Sequence, residues 1–135
     1  MTGVQTCALP ISALALATVP LKALKERNNL AEDVVDDVIL GVVDPVGEAG
    51  SDIARFAAMN AGLGEAVPGV QISRFCASGL DAVNFAAAQI MSGQHELTIG
   101  GGAESMSRVG IGASGGAWPM DPSIAVPAYF MPQGV

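Results

Sequence analysis

The sequence has few basic residues, little aromatic content and no long hydrophobic run. Six Lys and Arg stand against 13 Asp and Glu, which gives a formal net charge of -7. This charge repels phosphate backbones, so nucleic acid is not an expected partner. The main aliphatic stretch, residues 12–21, is shorter than the ~20 apolar residues of a membrane span, so no membrane helix is predicted. No Lys or Arg precedes Lys22, which argues against a signal peptide and predicts a cytoplasmic protein.

Cysteine and histidine are also scarce. The opening segment MTGVQTCALPI resembles the translation of a sequencing-adapter read-through, and we hypothesise that residues 1–12 are not native. Amplifying the locus from source DNA tests this hypothesis. A native reading frame that encodes the same segment would contradict it. Cys7 lies in that segment, so Cys76 becomes the single native cysteine and no disulfide framework is predicted. Together with the only histidine, His95, it cannot complete a tetrahedral ligand set, so no metal site is predicted.

Strand and helix patterns alternate along the chain. Because short β-branched runs bounded by Gly and Pro favour strands and longer amphipathic runs favour helices, the fold class is predicted as α/β with a parallel sheet. Residues 13–19 either extend the first helix across a kink at Pro20 or form a displaced remnant. The predicted elements are helix 20–28, strand 34–43, a helix from a cap at Ser51 or Asp52 to Asn60, strand 70–75, helix 77–92 and strand 96–102.

Two helix faces are predicted from apolar spacing. The first comprises Ile53, Phe56, Ala57 and Ala61, and the second comprises Leu80, Val83, Ala87 and Ile90. After Arg108 the pattern dissolves into a Gly- and Pro-rich stretch that predicts a loop region.

Cys76 lies in RFCASGLDAV, where a predicted strand meets a predicted helix. The first helical N–H groups and the positive end of the helix dipole favour thiolate over thiol, so a reactive cysteine is one interpretation. Its own amide could stabilise an oxyanion, and the small Ala77, Ser78 and Gly79 allow a ligand close to the backbone. The other interpretation is a buried structural cysteine that packs as a small hydrophobe.

Two long blocks, SRFCASGLDAVNFAAAQIMSGQ and TIGGGAESMSRV, resemble the active-cysteine region of the thiolases. VDDVILGVVDPVGEAGSDIARFAAMNAGL and GGAWPMDP also fit, so the resemblance covers about residues 13–135. It implies a layered αβαβα fold of which only part of the N-terminal domain is present. It also implies that Cys76 accepts an acyl group from coenzyme A as a thioester, with its amide as an oxyanion donor. The reaction implied is either the condensation of acetyl-CoA to acetoacetyl-CoA or the thiolytic cleavage of 3-ketoacyl-CoA. Coenzyme A thioesters are then the substrates, and no permanently bound cofactor is expected.

The same resemblance implies roles for two other segments. Residues 100–107, GGGAESMS, are expected to shape the wall of the site and subunit contacts. A simpler interpretation, compatible with the first, is a tight turn in which Ser105 or Ser107 caps a short helix. His95 lies in the turn SGQHE and is expected to be solvent-exposed and non-catalytic.

The chain lacks the GHP, NEAFA and CxGGG motifs that supply the family's remaining catalytic groups. We therefore expect residues 13–108 to be a partial N-terminal domain, residues 109–135 to be the start of a truncated loop region, and the chain alone to be inactive. The complete protein is expected to be a homodimer or homotetramer. The alternatives are a β-ketoacyl synthase-like condensing enzyme, which depends on acyl carrier protein, and a non-catalytic CoA- or lipid-binding homologue.

Overall fold

The structure, a computed structural model, describes residues 11–116 and residue 123. The hypothesis about the adapter-like segment and most of the predicted loop region 109–135 lie outside these residues, although residues 110–115 form turns as expected. A short 3₁₀ turn at Gly47–Ala49 precedes the second helix. The helices and strands are α1 (Ala13–Asn28), β1 (Asp37–Gly41), α2 (Ile53–Asn60), β2 (Gly69–Ile72), α3 (Ser78–Met91) and β3 (Thr98–Gly102).

Helix α1 is longer than the predicted helix 20–28 and corresponds to the extended alternative. Ser12 caps it, its side chain accepting a hydrogen bond from the amide of Ala15 at 3.1 Å. Pro20 lies inside the helix, and Asn29 ends it in the left-handed conformation that asparagine tolerates well. Within the described residues, no helix has both the length and the apolar character needed to cross a membrane.

The three strands form a parallel sheet in the order β2-β1-β3, which confirms the predicted fold class. The strands are shorter than predicted: β1 covers residues 37–41 rather than 34–43. It ends at Gly41 because the amides of Val43 and Asp44 donate to the carboxylate of Glu104 instead of to a neighbouring strand. The register pairs Gly41 with Ile72 and with Gly102, so the three strands end level at one edge.

Helices cover both faces of the sheet. Val38 and Leu40 point to the face packed by α1 and α2, whereas Ile39 points to the opposite face, against Ala82 and Ala86 of α3. The described residues therefore form a three-layer α/β/α arrangement. Helix α2 begins after Asp52, one of the two predicted caps. The prediction that Phe56 belongs to its buried face is wrong, because this ring is 52 % exposed.

Glycines let α3 lie unusually close to the sheet. A Cβ built at Gly41 would lie 2.3 Å from the carbonyl carbon of Ser78, and one at Gly100 would lie 2.6 Å from the Cα of Val83. Only small side chains fit between helix and strands at this separation, and the buried residues of α3 are Ser78, Ala82 and Ala86. The prediction that the large apolar residues of α3 form its buried face is therefore wrong. The members of the predicted face all lie on the exposed outer side: Leu80, Val83, Ala87 and Ile90.

Candidate active site

The carboxyl edge of the sheet brings three separate segments together. Residues 42–45 follow β1, residues 73–77 connect β2 to α3, and residues 103–109 follow β3. In open parallel α/β sheets, ligands bind outside the carboxyl ends of the strands, so this edge is the expected place for a site. Cys76 lies in the second of these segments, between strand and helix as the sequence predicts.

Cys76 carries a thiol and is exposed to solvent, so the structure does not support a buried structural cysteine. It precedes the first residue of α3 by two positions. The residue therefore lies at the N-terminal end of the helix, which carries the positive end of the helix dipole. Two surface depressions lie beside α1. Lys22 lines part of one and Gly100 lines part of the other, and Cys76 lines neither.

A strained turn presents the thiol. The residue before it, Phe75, has a φ of 48°, in the left-handed region that a bulky side chain disfavours by about 1–2 kcal/mol. The amide of Ala77 donates to the carbonyl of Arg74 at 3.1 Å, and the amide of Ser78 donates to the carbonyl of Phe75 at 3.0 Å. The chain therefore reverses tightly between β2 and α3, with Cys76 at the bend.

Two side chains brace this turn, one buried and one at the surface. Ser78 is 2 % exposed, and its hydroxyl bonds to the backbone of both Arg74 and Phe75. The guanidinium of Arg74 forms an ion pair with Asp81, in the first turn of α3, at 2.5 Å. Because the Arg74 side chain is 65 % exposed, solvent screens this pair, and the buried hydroxyl is the stronger brace.

Glu104, from GGGAESMS, ties β3 to the loop after β1. Its carboxylate accepts hydrogen bonds from the amides of Val43, at 2.6 Å, and Asp44, at 3.2 Å. Directly after the neighbouring strand β2, the hydroxyl of Ser73 donates to the carbonyl of Val43 at 3.2 Å. These bonds join all three strand ends, so this part of the motif fixes the edge that carries Cys76.

Asp44 extends the same network to the turns at 110–115. It is 3 % exposed, and its carboxylate accepts bonds from the hydroxyl and amide of Ser114 and from the amide of Gly112. The hydrogen bonds from Ser114 and Gly112 hold the pKa of Asp44 below its usual range, although burial opposes them. The aspartate is therefore ionised at neutral pH and anchors the chain that follows the motif.

The segment after the motif is a turn, as the simpler interpretation predicts, but no serine side chain caps a helix there. Ser105 is buried, and its hydroxyl donates to the carbonyl of Ile11, while its own carbonyl accepts from the amides of Arg108 and Val109. Arg108 pairs with both carboxylate oxygens of Glu48, and this ion pair lowers the pKa of Glu48. The turn is thereby fastened to the chain that leads into α2.

His95 lies at the opposite end of α3 from Cys76. The helix has 14 residues and therefore separates the two by roughly 20 Å, so His95 lies outside the edge that carries Cys76. The histidine is partly buried, however, so the prediction of an exposed side chain is wrong. Among the described residues, no group of three His, Cys, Asp or Glu side chains is placed to hold a metal ion.

The sequence did not indicate a role at this edge for three residues: Ser78, Asp44 and Glu104. Ser78 and Glu104 lie within recognised motifs, but their bonding partners are set by the fold. The only sequence feature at Asp44 is its position before Pro45, which indicates a turn.

A family model described as the thiolase N-terminal domain matches residues 2–120 of the chain. The chain belongs to the thiolase family. The match begins inside residues 1–12, and the hypothesis that this segment is not native stays a prediction. Several bacterial thiolases resemble the chain. A β-ketoadipyl-CoA thiolase of Pseudomonas putida is 51% identical over 94 residues, which are 69% of this chain and 24% of that relative.

More distant thiolases match as well. A steroid 3-ketoacyl-CoA thiolase of Mycobacterium tuberculosis is 36% identical over 77% of this chain and 26% of that protein. The crystal structure of the Bacillus anthracis acetyl-CoA acetyltransferase has a TM-score of 0.67 and 36% identity, over 72% of this chain and 24% of that one. The thiolase chain described here thus spans about a quarter of the length of these relatives.

Proposed function

We propose that this chain is the nucleophile-bearing part of a thiolase that cleaves 3-ketoacyl-CoA by transferring an acyl group to Cys76. The observation that carries the proposal is the exposed thiol of Cys76, held in a strained strand-to-helix turn within the segment that matches the family. The names of the relatives, several of which are 3-ketoacyl-CoA or β-ketoadipyl-CoA thiolases, support cleavage as the reaction direction.

In the proposed reaction, the Cys76 thiolate attacks the 3-keto carbonyl of the substrate. The bond between the α and β carbons breaks, the acyl group stays on sulfur as a thioester, and the α carbon takes a proton and leaves as acetyl-CoA. The thiol of a second coenzyme A then attacks the thioester, forms the shortened acyl-CoA and returns the electron pair to Cys76. A thioester divides one difficult transfer into two easier steps and keeps the carbonyl activated.

The backbone around Cys76 suits the charge that develops in these steps. Attack on a carbonyl places negative charge on its oxygen, and we assign the amide N–H of Cys76 as one donor to it. The start of α3 adds the positive end of its dipole at the same place. The proton donor and the groups that bind coenzyme A are assigned to the rest of the complete protein, which we place in the cytoplasm as a homodimer or homotetramer.

The test is thiolysis by the complete protein that carries this segment. Acyl-CoA products are measured after incubation with coenzyme A and a panel of 3-ketoacyl-CoA substrates. The panel includes 3-oxoadipyl-CoA, because relatives at 49–51% identity are named for this substrate class. We expect Cys76→Ala to abolish turnover.

Two results would contradict the proposal. Normal turnover by Cys76→Ala would remove the assigned nucleophile. Turnover that requires substrates on acyl carrier protein would instead indicate a condensing enzyme of the β-ketoacyl synthase type.

A further inference from the structure

The turn that presents Cys76 is closed by the hydroxyl of Ser78. This hydroxyl donates to the carbonyl of Phe75 at 2.6 Å and accepts from the amide of Arg74 at 2.7 Å. Both partners precede Cys76 in the chain, whereas Ser78 follows it, so the two bonds span the nucleophile. The single hydroxyl proton is committed to Phe75, and at 2 % exposure the side chain is withdrawn from solvent. These features suit a residue that acts through its neighbours rather than on substrate.

The Phe75 ring does not hold its own backbone in the left-handed conformation. The ring is 63 % exposed, so packing contributes little to fixing φ at 48°. The carbonyl of Phe75 is instead held twice by Ser78, through its amide at 3.0 Å and its hydroxyl at 2.6 Å. Loss of the hydroxyl leaves the turn with weaker opposition to the negative φ that an aromatic residue prefers.

Ser78 can hold the turn because its own position is fixed by the sheet. It is the first residue of α3, and its backbone lies against Gly41, the last residue of β1. A Cβ at Gly41 would lie 2.3 Å from the carbonyl carbon of Ser78, which shows how closely the two backbones approach. The hydroxyl therefore connects the bend to a backbone position that is packed against the end of the central strand.

We propose that Ser78 is a positioning residue for acyl transfer: its buried hydroxyl fixes the left-handed turn at Phe75 and thereby the place of the Cys76 thiol and amide. This inference rests on the proposed function of Cys76. Relaxation at Phe75 moves sulfur and amide together relative to a bound acyl-CoA, and a misplacement of about 1 Å can lower a rate ~100-fold. Substrate binding, which depends on other parts of the protein, changes much less.

The first comparison removes one serine hydroxyl from either end of α3 in the complete protein. Ser78→Ala is expected to lower kcat for thiolysis at least ~10-fold with KM changed less than ~2-fold. Ser92→Ala removes an exposed hydroxyl that donates to the carbonyl of Gln89 at 2.9 Å, far from Cys76, and its kcat is expected to stay within ~2-fold of the wild type. Equal losses in the two variants, or an unchanged kcat in Ser78→Ala, overturn the proposal.

A second comparison does not depend on Ser78→Ala folding, since it changes only the exposed residue 75. Phe75→Asn and Phe75→Val both remove the ring, but asparagine accepts the left-handed conformation and β-branched valine resists it. We expect Phe75→Asn to keep kcat within ~3-fold and Phe75→Val to lose at least ~10-fold. Equal kcat values for the two variants contradict a role for the turn geometry.

Cys76→Ala, measured alongside, separates the two proposals. If it retains turnover, the proposed function fails. If it is inactive while Ser78→Ala and Phe75→Val match the wild type, the nucleophile stands and the positioning role of Ser78 is refuted.

Discussion

Replacing Gly100 by alanine tests the close packing of α3 on the sheet. A Cβ at this position would lie 2.6 Å from the carbonyl oxygen of Ala82 and from the Cα of Val83. Both atoms belong to the helix backbone, so no side-chain rotation relieves the overlap. The contact is about 0.8 Å short of the 3.4 Å at which ordinary contact begins, so helix and strand must separate.

The expected destabilisation follows from two opposing effects. Overpacking of this kind costs about 1–3 kcal/mol. Alanine has less backbone freedom than glycine in the unfolded chain, which recovers about 0.5 kcal/mol. The net loss is therefore about 0.5–2.5 kcal/mol, which corresponds to a fall of roughly 2–9 °C in the unfolding midpoint for a chain of this length.

Gly101→Ala provides a matched control on the next residue of the same strand. A Cβ there would have the Cδ2 atom of Leu40 as its nearest neighbour, at 3.8 Å, which is ordinary contact with a flexible side chain. We expect this variant to be as stable as the wild type or slightly more stable. Urea and thermal unfolding of the 135-residue chain, followed by far-UV circular dichroism, measure both variants. Equal midpoints for the two would refute the close approach of α3 to β3.

Three further predictions concern the carboxyl edge and the chain as a whole. The ionised Asp44 stabilises the fold fully at pH values above its unfolded-state pKa of about 4, and this contribution is lost as pH falls through its lower folded-state pKa. Asp44→Asn should therefore be less stable than the wild type at neutral pH and should lose less stability on acidification. Unfolding midpoints measured across acidic pH test this expectation. Glu104→Gln replaces one carboxylate oxygen by an NH2 group, so one of the two backbone amides that donate to Glu104 loses its acceptor, and the free energy of unfolding should fall by about 1–2 kcal/mol in urea titrations. Glu96→Gln, at an exposed carboxylate, should change it little. The 135-residue chain alone should show no thiolysis, and turnover that disappears in Cys76→Ala would contradict this expectation.

The order of the elements and the place of Cys76 could be predicted from sequence, because both depend on local patterns. Alternating β-branched runs and amphipathic stretches identified three strands and three helices within the described residues, in the right order. Strand bounds were too long, because β-branched residues such as Val34 and Val43 continue the pattern beyond the hydrogen-bonded ladder. The end of β1 is set by Glu104, about 60 residues away, and local spacing carries no information about that contact.

The buried face of α3 could not be predicted from hydrophobicity for a related reason. Large apolar residues usually mark the buried side of a helix, but here the sheet opposite α3 presents glycine and leaves room only for Ser78, Ala82 and Ala86. Likewise, the sequence indicates only that Ser78 is a small residue close to Cys76. Its two backbone hydrogen-bond partners, Arg74 and Phe75, are known only from the fold. In both cases the deciding quantity is a distance between elements, which the order of residues does not state.

The most direct test of the central claim is capture of the acyl group on the complete protein. The protein is incubated with an acyl-CoA in the absence of free coenzyme A, quenched in acid and digested, and its peptides are examined by mass spectrometry. We predict that the peptide containing Cys76 gains the mass of one acyl group as a hydroxylamine-sensitive thioester, and that Cys76→Ala gains none. Acylation that persists at another residue in Cys76→Ala, with the Cys76 peptide of the wild type unmodified, would contradict the account.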